Sequence, residues 1–299
     1  MVERPLVDGF LLGLPKCGTT WLAGVLSQNQ SISFSSPKEP NILASHRGTF
    51  GRDESEPDLQ KYERSFSGGG FRIDGSVHAF SCPLAPRRVF EINPEARFII
   101  CLRDPVERAF SHWKMVRDDM ADRIHGADWS DFGAAWSDER LKGDSIWSDS
   151  MERWLNFFEL ERFLFVDSRD LRNSPELVLR DIDSHLGIDE YEYDLERGGK
   201  SNESRNRRAV TGVGVAFKRV VRFIPESTRN ILSMPLQKRS INIYDLPIIS
   251  REGEPSQLGS EHYNTCATEV ISDLERFEVV SGFSTSHWVE GIRRKCSLK

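Results

Sequence analysis

Long apolar runs are missing from this sequence, and so are internal repeats and low-complexity tracts. No apolar run approaches the roughly 18 residues that a membrane-spanning helix needs, so we expect no membrane partner. Met1 to Asp8 lack the shape of a signal peptide, because an apolar segment begins almost at once. Cysteine is scarce, and its five residues show neither disulfide nor zinc spacing, which fits a reducing compartment. These absences together predict a cytoplasmic protein.

An excess of basic charge is also missing. The chain carries 46 Asp and Glu against 40 Lys and Arg, which gives a formal net charge of −6. This balance argues against nucleic acid as the main partner. To a lesser degree it disfavours a long polyanionic acceptor, which the overall field would repel unless a local basic groove overrides it.

Strand-like and helix-like segments alternate along the chain. Short apolar runs predict strands over 10–14, 71–74, 97–102 and 163–166. Helical patterns follow over 19–28, 83–93, 105–119, 147–158, 175–186 and 261–280. We therefore predict an α/β fold with a central, mostly parallel β-sheet flanked by helices, in a single domain over 1–299. Residues 198–259 are interpreted as an irregular excursion that covers the active site.

A glycine-rich segment, GLPKCGTT from Gly13 to Thr20, follows the first strand and opens a helix. Its spacing is that of a P-loop, in which backbone amides at a helix N-terminus bind phosphate. Thr19 stands where the usual lysine would be, and the lysine of the loop is Lys16. The alternative is a tight turn that happens to contain a lysine.

A second anion-binding feature follows the strand at 97–102. In nucleotide hydrolases a strand here often ends in an aspartate that holds magnesium, whereas this strand is followed by Arg103. Ser111 lies about two turns into the next helix. A guanidinium and a hydroxyl at one sheet edge can bind a second phosphate. The alternative for Arg103 is a surface ion pair with Glu107.

These elements together resemble the sulfotransferase superfamily that uses 3′-phosphoadenosine 5′-phosphosulfate (PAPS). Residues 15–22 (PKCGTTWL) are similar to its loop for the 5′-phosphosulfate, and 103–112 (RDPVERAFSH) to its 3′-phosphate motif. Residues 36–40 (SPKEP) resemble the segment that carries a catalytic glutamate in heparan-sulfate-type members. The likeness spans about residues 8–290 and is weakest between 190 and 255.

The resemblance implies a P-loop-type three-layer α/β fold and a defined reaction. A sulfuryl group passes from PAPS to a hydroxyl or amine of a small-molecule or carbohydrate acceptor. Adenosine 3′,5′-bisphosphate (PAP) is left, and no metal is needed.

The resemblance also implies residue roles. Lys16 acts on the bridging oxygen of the donor, Glu39 is the general base and His78 the reserve base. The implied donor-binding residues are Lys16, Cys17, Gly18, Thr19, Thr20, Trp21, Arg103, Ser111, Arg205 and Arg207. The last two belong to a late basic segment that would close over the 3′-phosphate, although a solvated charge cluster fits the sequence equally well. Glu39 could instead be a solvated loop carboxylate, and His78 a structural histidine.

One position departs from the family pattern. Heparan-type members often place a lysine in the catalytic pocket after the second inner strand, where this chain has Gly75. The candidates for the missing cation are Lys38, His46 and His78.

Two other functions stay open on the sequence. A P-loop nucleotide kinase or hydrolase would use 163–167 (FLFVD) as its metal-binding strand, although the missing lysine after Gly18 argues against it. A non-catalytic relative would bind the nucleotide without turning it over. Four tryptophans, most of them expected in the core, could contribute to an acceptor pocket: Trp129, Trp136, Trp147 and Trp154.

Overall fold

A five-stranded parallel β-sheet forms the centre of the computed structural model, which describes residues 5–196, 208–210, 250–252 and 256–296. Its strands are β1 (Gly9–Leu11), β2 (Ile32–Phe34), β5 (Phe71–Asp74), β6 (Arg97–Leu102) and β7 (Phe163–Asp167). Two short antiparallel pairs complete the strands: β3 (His46–Arg47) with β4 (Gly51–Arg52), and β8 (Arg208–Val210) with β9 (Ser250–Glu252).

The order of the central sheet is β2-β5-β1-β6-β7, and every neighbouring pair is parallel. β1 and the last five residues of β6 are fully buried, as expected of strands covered on both faces. Because all five strands run in one direction, their carboxyl ends meet at one edge of the sheet. The loops that leave this edge carry the candidate site.

Helices flank the sheet. They are α1 (Thr19–Leu26), α2 (Leu59–Glu63), α3 (Ala85–Ile92), α4 (Pro105–Asp118), α5 (Ala121–Ile124), α6 (Phe132–Trp136), α7 (Glu139–Lys142), α8 (Ser148–Leu155), α9 (Asp170–Asn173), α10 (Pro175–Leu186), α11 (Ser260–Ser281) and α12 (Ser286–Lys295). Among the described residues, no helix combines the length and the apolar character that crossing a bilayer requires.

The boundary of α4 shows why the chain changes structure directly after β6. The Asp104 carboxylate accepts hydrogen bonds from the amides of Val106 (2.9 Å) and Glu107 (3.1 Å), and Pro105 occupies the first turn. The helix therefore begins two residues after Arg103, which places that residue at the sheet edge.

The predicted fold class is confirmed. β5 and β6 have the predicted bounds, and the predicted helices are present within a few residues at each end. β1 is shorter than predicted, although the amides of Leu12 and Leu14 still donate to carbonyls of β6. The excursion predicted over 198–259 lies largely outside the described residues, and a single domain over 1–299 stays a prediction.

Aromatic side chains dominate the core beside β6. The ring of Phe98 lies 5.7 Å from Phe10, 4.7 Å from both Phe158 and Phe163, and 5.1 Å from Trp154. The tryptophans expected mostly in the core are all buried: Trp129, Trp136, Trp147 and Trp154.

We predict that Phe98→Ala lowers the free energy of unfolding by about 3–5 kcal/mol, because it leaves a cavity among four packed rings. The control is Phe90→Ala, a change of the same residue type at a position that is 40% exposed. Its cost should stay below about 1 kcal/mol. Urea denaturation measures both, and equal losses in the two variants would contradict this description of the core.

Candidate active site

The loop between β1 and α1 presents unsatisfied backbone amides. Gly18 caps α1 without a side-chain hydrogen bond, and the first turn of the helix holds no acidic residue. The first amides of a helix have no partner within it, and the helix dipole adds partial positive charge there. The loop can therefore bind an anionic group.

Two backbone features give this loop its shape. A Cβ atom at Gly13 would lie 2.5 Å from the amide nitrogen of Cys101, so only glycine allows this close approach to β6. Gly18 has φ +90°, and Lys16 adopts φ 75°, a left-handed conformation that costs a non-glycine residue on the order of 1–3 kcal/mol. Strain of this kind is typical of residues held in place for function.

One face of α4 lies against the loop. Glu107, Ser111 and Met115 follow one another at intervals of four residues, so they line a single face of the helix. The Nζ atom of Lys16 lies 3.8 Å from the Sδ atom of Met115, and Arg103 donates to the Lys16 carbonyl at 3.4 Å. Lys16 and Arg103 thus lie together at the loop, and Ser111 is on the face of α4 that carries Met115; we call the surface between the loop and this face the groove.

The alternative ion pair of Arg103 is also present. Its Nη2 atom lies 3.1 Å from Oε2 of Glu107, and both side chains are partly exposed. Lys295 from α12 contacts the other carboxylate oxygen of Glu107 at 3.2 Å. Burial would raise the pKa of Glu107, but the charges of Arg103 and Lys295 lower it below its usual range. Glu107 therefore has a second cation besides Arg103.

Arg108 is a buried arginine that contacts the loop between β1 and α1, and sequence reasoning did not identify it. Arg108 donates to Oγ of Ser145 (2.6 Å) and to the Leu141 carbonyl (3.0 Å), and its Nη1 atom lies 3.5 Å from the Pro15 carbonyl. The only sequence signal was its place inside the motif at 103–112.

His112 continues this buried network. Its Nδ1 atom lies 3.1 Å from the Arg108 guanidinium, which has only donors, so Nδ1 accepts and Nε2–H donates to Thr49 at 2.8 Å. Burial and the charge of Arg108 lower the pKa of His112 well below its usual value. The neutral ring therefore connects α4 to the β3–β4 turn.

Glu39 lies beside a lysine. The Nζ atom of Lys38 is 3.0 Å from Oε1 of Glu39 and donates to the Gly75 carbonyl at 3.3 Å. A Cβ atom at Gly75 would lie 2.7 Å from the Lys38 carbonyl oxygen and 3.1 Å from its Cγ atom. The stem of Lys38 thus fills the space beside the position where related enzymes often have a lysine, and among the three candidate cations Lys38 is the one paired with Glu39.

His78 is oriented by Asp144, a residue that sequence reasoning did not identify because no motif joins the two. Its Nδ1 atom lies 3.5 Å from Oδ2 of Asp144, while Ser81 donates to Oδ1 at 2.8 Å. Burial would raise the pKa of Asp144, but His78 and Arg108 hold it below its usual range. A carboxylate that stays ionised keeps the imidazole in one orientation.

The remaining predicted residues differ in exposure. The side chains of Cys17 and Thr19 are buried, which leaves their backbone atoms for a ligand, whereas Thr20 is exposed and Trp21 half-buried. Arg205 and Arg207 lie outside the described residues.

The strand proposed for a nucleotide kinase ends in Asp167. Its carboxylate lies 2.8 Å from Nη2 of Arg169, and it also accepts the Arg169 backbone amide. An aspartate engaged in this way does not match the free metal ligand that a kinase would need, so this arrangement disfavours the kinase interpretation.

Comparison with known proteins gives a consistent result. The model of the sulfotransferase domain family matches residues 7–197. The bifunctional heparan sulfate N-deacetylase/N-sulfotransferase 1 of Caenorhabditis elegans is 24% identical over 64% of this chain and 23% of its own length. The heparan sulfate glucosamine 3-O-sulfotransferase 6 of Mus musculus is 29% identical over 40% of this chain and 36% of its own length.

A solved structure is similar over almost the whole chain. The sulfotransferase from Alicyclobacillus acidocaldarius superposes with a TM-score of 0.61 at 19% identity, over 96% of this chain and 99% of that one. This similarity confirms the P-loop-type α/β fold. By contrast, the matched region corresponds to only about a quarter of the length of the first curated relative.

We predict that Cys17 resists alkylation in the folded protein. Burial raises the pKa of its thiol to about 12, so almost no thiolate forms at pH 8. Iodoacetamide at that pH should leave the Cys17 peptide unmodified, as read by mass spectrometry, while the guanidinium-unfolded chain serves as the reactive control. Rapid labelling of Cys17 in the native state would contradict its placement.

Proposed function

Because the chain belongs to the sulfotransferase family, we propose that it transfers a sulfuryl group from PAPS to a hydroxyl or amine of a small-molecule or carbohydrate acceptor. One observation carries the proposal beyond family membership. Lys16 and Arg103 follow adjacent strands, β1 and β6, and both border the groove that also holds Ser111. PAPS carries anionic groups at its 5′ and 3′ ends, which such a groove would bind simultaneously.

The donor fits residues of this chain at both ends. The amides at Gly18, Thr19 and Thr20 would hold the 5′-phosphate, with Cys17 contributing through its backbone and Trp21 flanking the loop. Arg103 and Ser111 would hold the 3′-phosphate, and this second contact selects the donor over ordinary adenosine nucleotides.

Arg205 and Arg207 would close over the same phosphate. A metal-free reaction and a cytoplasmic location complete the proposal.

Catalysis would depend on positioning and charge. When bound, the donor supplies an activated sulfuryl group, and transfer of this kind spreads charge over its equatorial oxygens. Lys16 would stabilise negative charge on the leaving phosphate through the bridging oxygen. Glu39 would take the proton of the acceptor, with His78 as the reserve base.

Lys38 would serve as the cation on the acceptor side. Its Nζ atom lies 3.0 Å from Oε1 of Glu39, so its positive charge is next to the proposed base. His46 is less suited to this role, because burial and the charge of Arg52 lower its pKa to about 4 and leave it neutral.

We predict that PAP binds the purified protein without added metal and that Arg103→Gln weakens this binding at least about tenfold, because a charge-assisted contact to phosphate is lost. Arg87→Gln is the control, since Arg87 lies on the exposed surface of α3. Isothermal calorimetry measures both variants. Failure of the unchanged protein to bind PAP would reject the proposed function, and magnesium-dependent binding of ATP would favour a kinase.

We further predict that Lys16→Ala and Glu39→Gln each reduce turnover at least about a hundredfold, the usual scale for lost charge stabilisation or a lost general base. Transfer of radiolabelled sulfate from PAPS to a panel of hydroxyl and amine acceptors provides the measurement. His78→Gln is the comparison and should cost less than Glu39→Gln. A larger loss of turnover in His78→Gln than in Glu39→Gln would assign the general base to His78.

A further inference from the structure

A polar cavity of about 460 Å³ lies next to His78, and neither the donor nor the proposed chemistry accounts for it. Its walls come from the β3–β4 hairpin, from the residues after β5, and from α7 and α8. The volume is within the range of small-molecule sites, roughly 300–1,000 Å³. His78, the reserve base of the proposed chemistry, is itself part of the cavity wall.

Basic side chains are concentrated in the cavity wall. It contains four permanently basic residues, Arg52, Arg140, Lys142 and Arg153, against three carboxylates, Glu139, Asp144 and Asp149. Asp149 pairs with Arg276 and Glu139 is exposed, whereas the buried Asp144 accepts from Ser81 through Oδ1 and its Oδ2 atom lies 3.5 Å from Nδ1 of His78.

Two of the four cations are neutralised by partners outside the wall. Arg140 pairs with Asp138, and Lys142 lies 2.7 Å from Glu269. They therefore contribute little net positive potential to the cavity.

Arg52 and Arg153 differ from them. Within the described part of the chain, Arg52 donates only through Nη1, to the carbonyls of Gly48 (3.4 Å), Thr49 (3.2 Å) and Gly51 (2.7 Å). Burial lowers the pKa of Arg52, and the charge of Asp144 offsets this only in part. Its charge thus has no paired carboxylate among the residues described.

Arg153 is similarly unpaired. It donates through Nη2 to the Ser81 carbonyl (3.3 Å) and to Oγ of Ser150 (2.7 Å), both neutral groups. Its buried Nε atom has no hydrogen-bond partner among the described residues. A buried donor without a partner is unfavourable. Because Arg153 also lines the cavity, its charge is available to an anionic ligand there.

The two guanidinium groups act on one shared neighbour. Both Arg52 and Arg153 lower the pKa of His46, which follows from their joint position around the same cavity. His46 and Arg52 are also paired across the β3–β4 hairpin. His46 also lines the cavity, and its neutral imidazole can donate or accept one hydrogen bond there without adding charge.

We propose that this cavity is the acceptor site, and that Arg52 and Arg153 bind a single anionic substituent, a carboxylate or a sulfate, of a small acceptor. The inference rests on the proposed function and adds the substrate class. Two unpaired guanidinium groups match one such substituent, whereas the net charge of −6 opposes a long polyanion. The hydroxyl or amine of the acceptor would then lie beside His78, which lines the cavity.

A binding experiment tests the site independently of turnover. The full chain, saturated with PAP so that the donor groove is filled, is titrated with acetate and separately with methyl sulfate. The Nε–Hε signals of arginine are followed by NMR. We expect the Arg153 signal to shift, with binding at least about tenfold weaker in Arg153→Gln and in Arg52→Gln.

Arg293→Gln is the matched control, because Arg293 lies exposed on α12 and pairs with Glu275. Circular dichroism verifies that each variant is folded, and Arg52, on an exposed hairpin, provides a second variant if Arg153→Gln does not fold. An Arg153 signal that does not respond to either anion would overturn the proposal. If acetate binds more tightly than methyl sulfate, the substituent is a carboxylate; if methyl sulfate binds more tightly, it is a sulfate.

Turnover supplies a second, separate readout. Matched acceptors, 4-nitrophenyl β-D-glucuronide against the glucoside and 4-hydroxyphenylacetate against 4-hydroxybenzyl alcohol, are compared with PAPS as donor. We expect the carboxylated member of at least one pair to show a kcat/KM about tenfold higher, an advantage lost in Arg52→Gln. Transfer only to neutral acceptors would reject the anion site and leave the sulfotransferase intact, whereas absent PAP binding would reject the function itself.

Discussion

The buried guanidinium of Arg108 joins the parts of the site that must act together. It reaches the donor loop at Pro15, the neutral ring of His112, and the segment around Ser145 that precedes α8. A buried charge is tolerated only when its donors are satisfied, so each of these partners is held at a fixed position. The proposed donor groove and the proposed acceptor cavity therefore share one support.

Arg103, the cation proposed for the 3′-phosphate, is held differently. Arg103 is half-exposed and paired with Glu107, which Lys295 also contacts. If a phosphate replaced Glu107 as the partner of Arg103, the Glu107 carboxylate would keep its contact with Lys295. The free-energy cost of the exchange would therefore be small. This arrangement reconciles the two interpretations of Arg103, since the surface ion pair is present in the free protein and a phosphate would replace it.

Sequence reasoning identified the elements that obey a local rule. β5, β6 and the start of α4 follow from short apolar runs and from Asp104-Pro105, and the loop at 13–20 follows from its glycine spacing. Lys16 and Arg103 could be found because each belongs to a recognisable motif that follows a predicted strand.

The long-range contacts could not be found in this way. Asp144 reaches His78 and Arg108 reaches Ser145 only through the tertiary fold, and no periodicity in the sequence encodes such a contact. The β3–β4 hairpin was missed because strands of two residues give no alternation to detect. The relation between Lys38 and Gly75 likewise depends on space that only the folded chain defines.

Charge explains how an acidic protein can handle two anionic partners. At physiological ionic strength, fields fade over roughly 8 Å, so the net charge of −6 matters less at a site than the groups within it. Lys16 and Arg103 are the cations proposed for the donor, Lys38 is paired with Glu39, and Arg52 and Arg153 have no carboxylate partner among the described residues. Because these three sets are separate, donor phosphates would not neutralise the cations proposed for the acceptor. An anionic acceptor could then bind next to an anionic donor, because separate cations stabilise the negative charges of the two substrates.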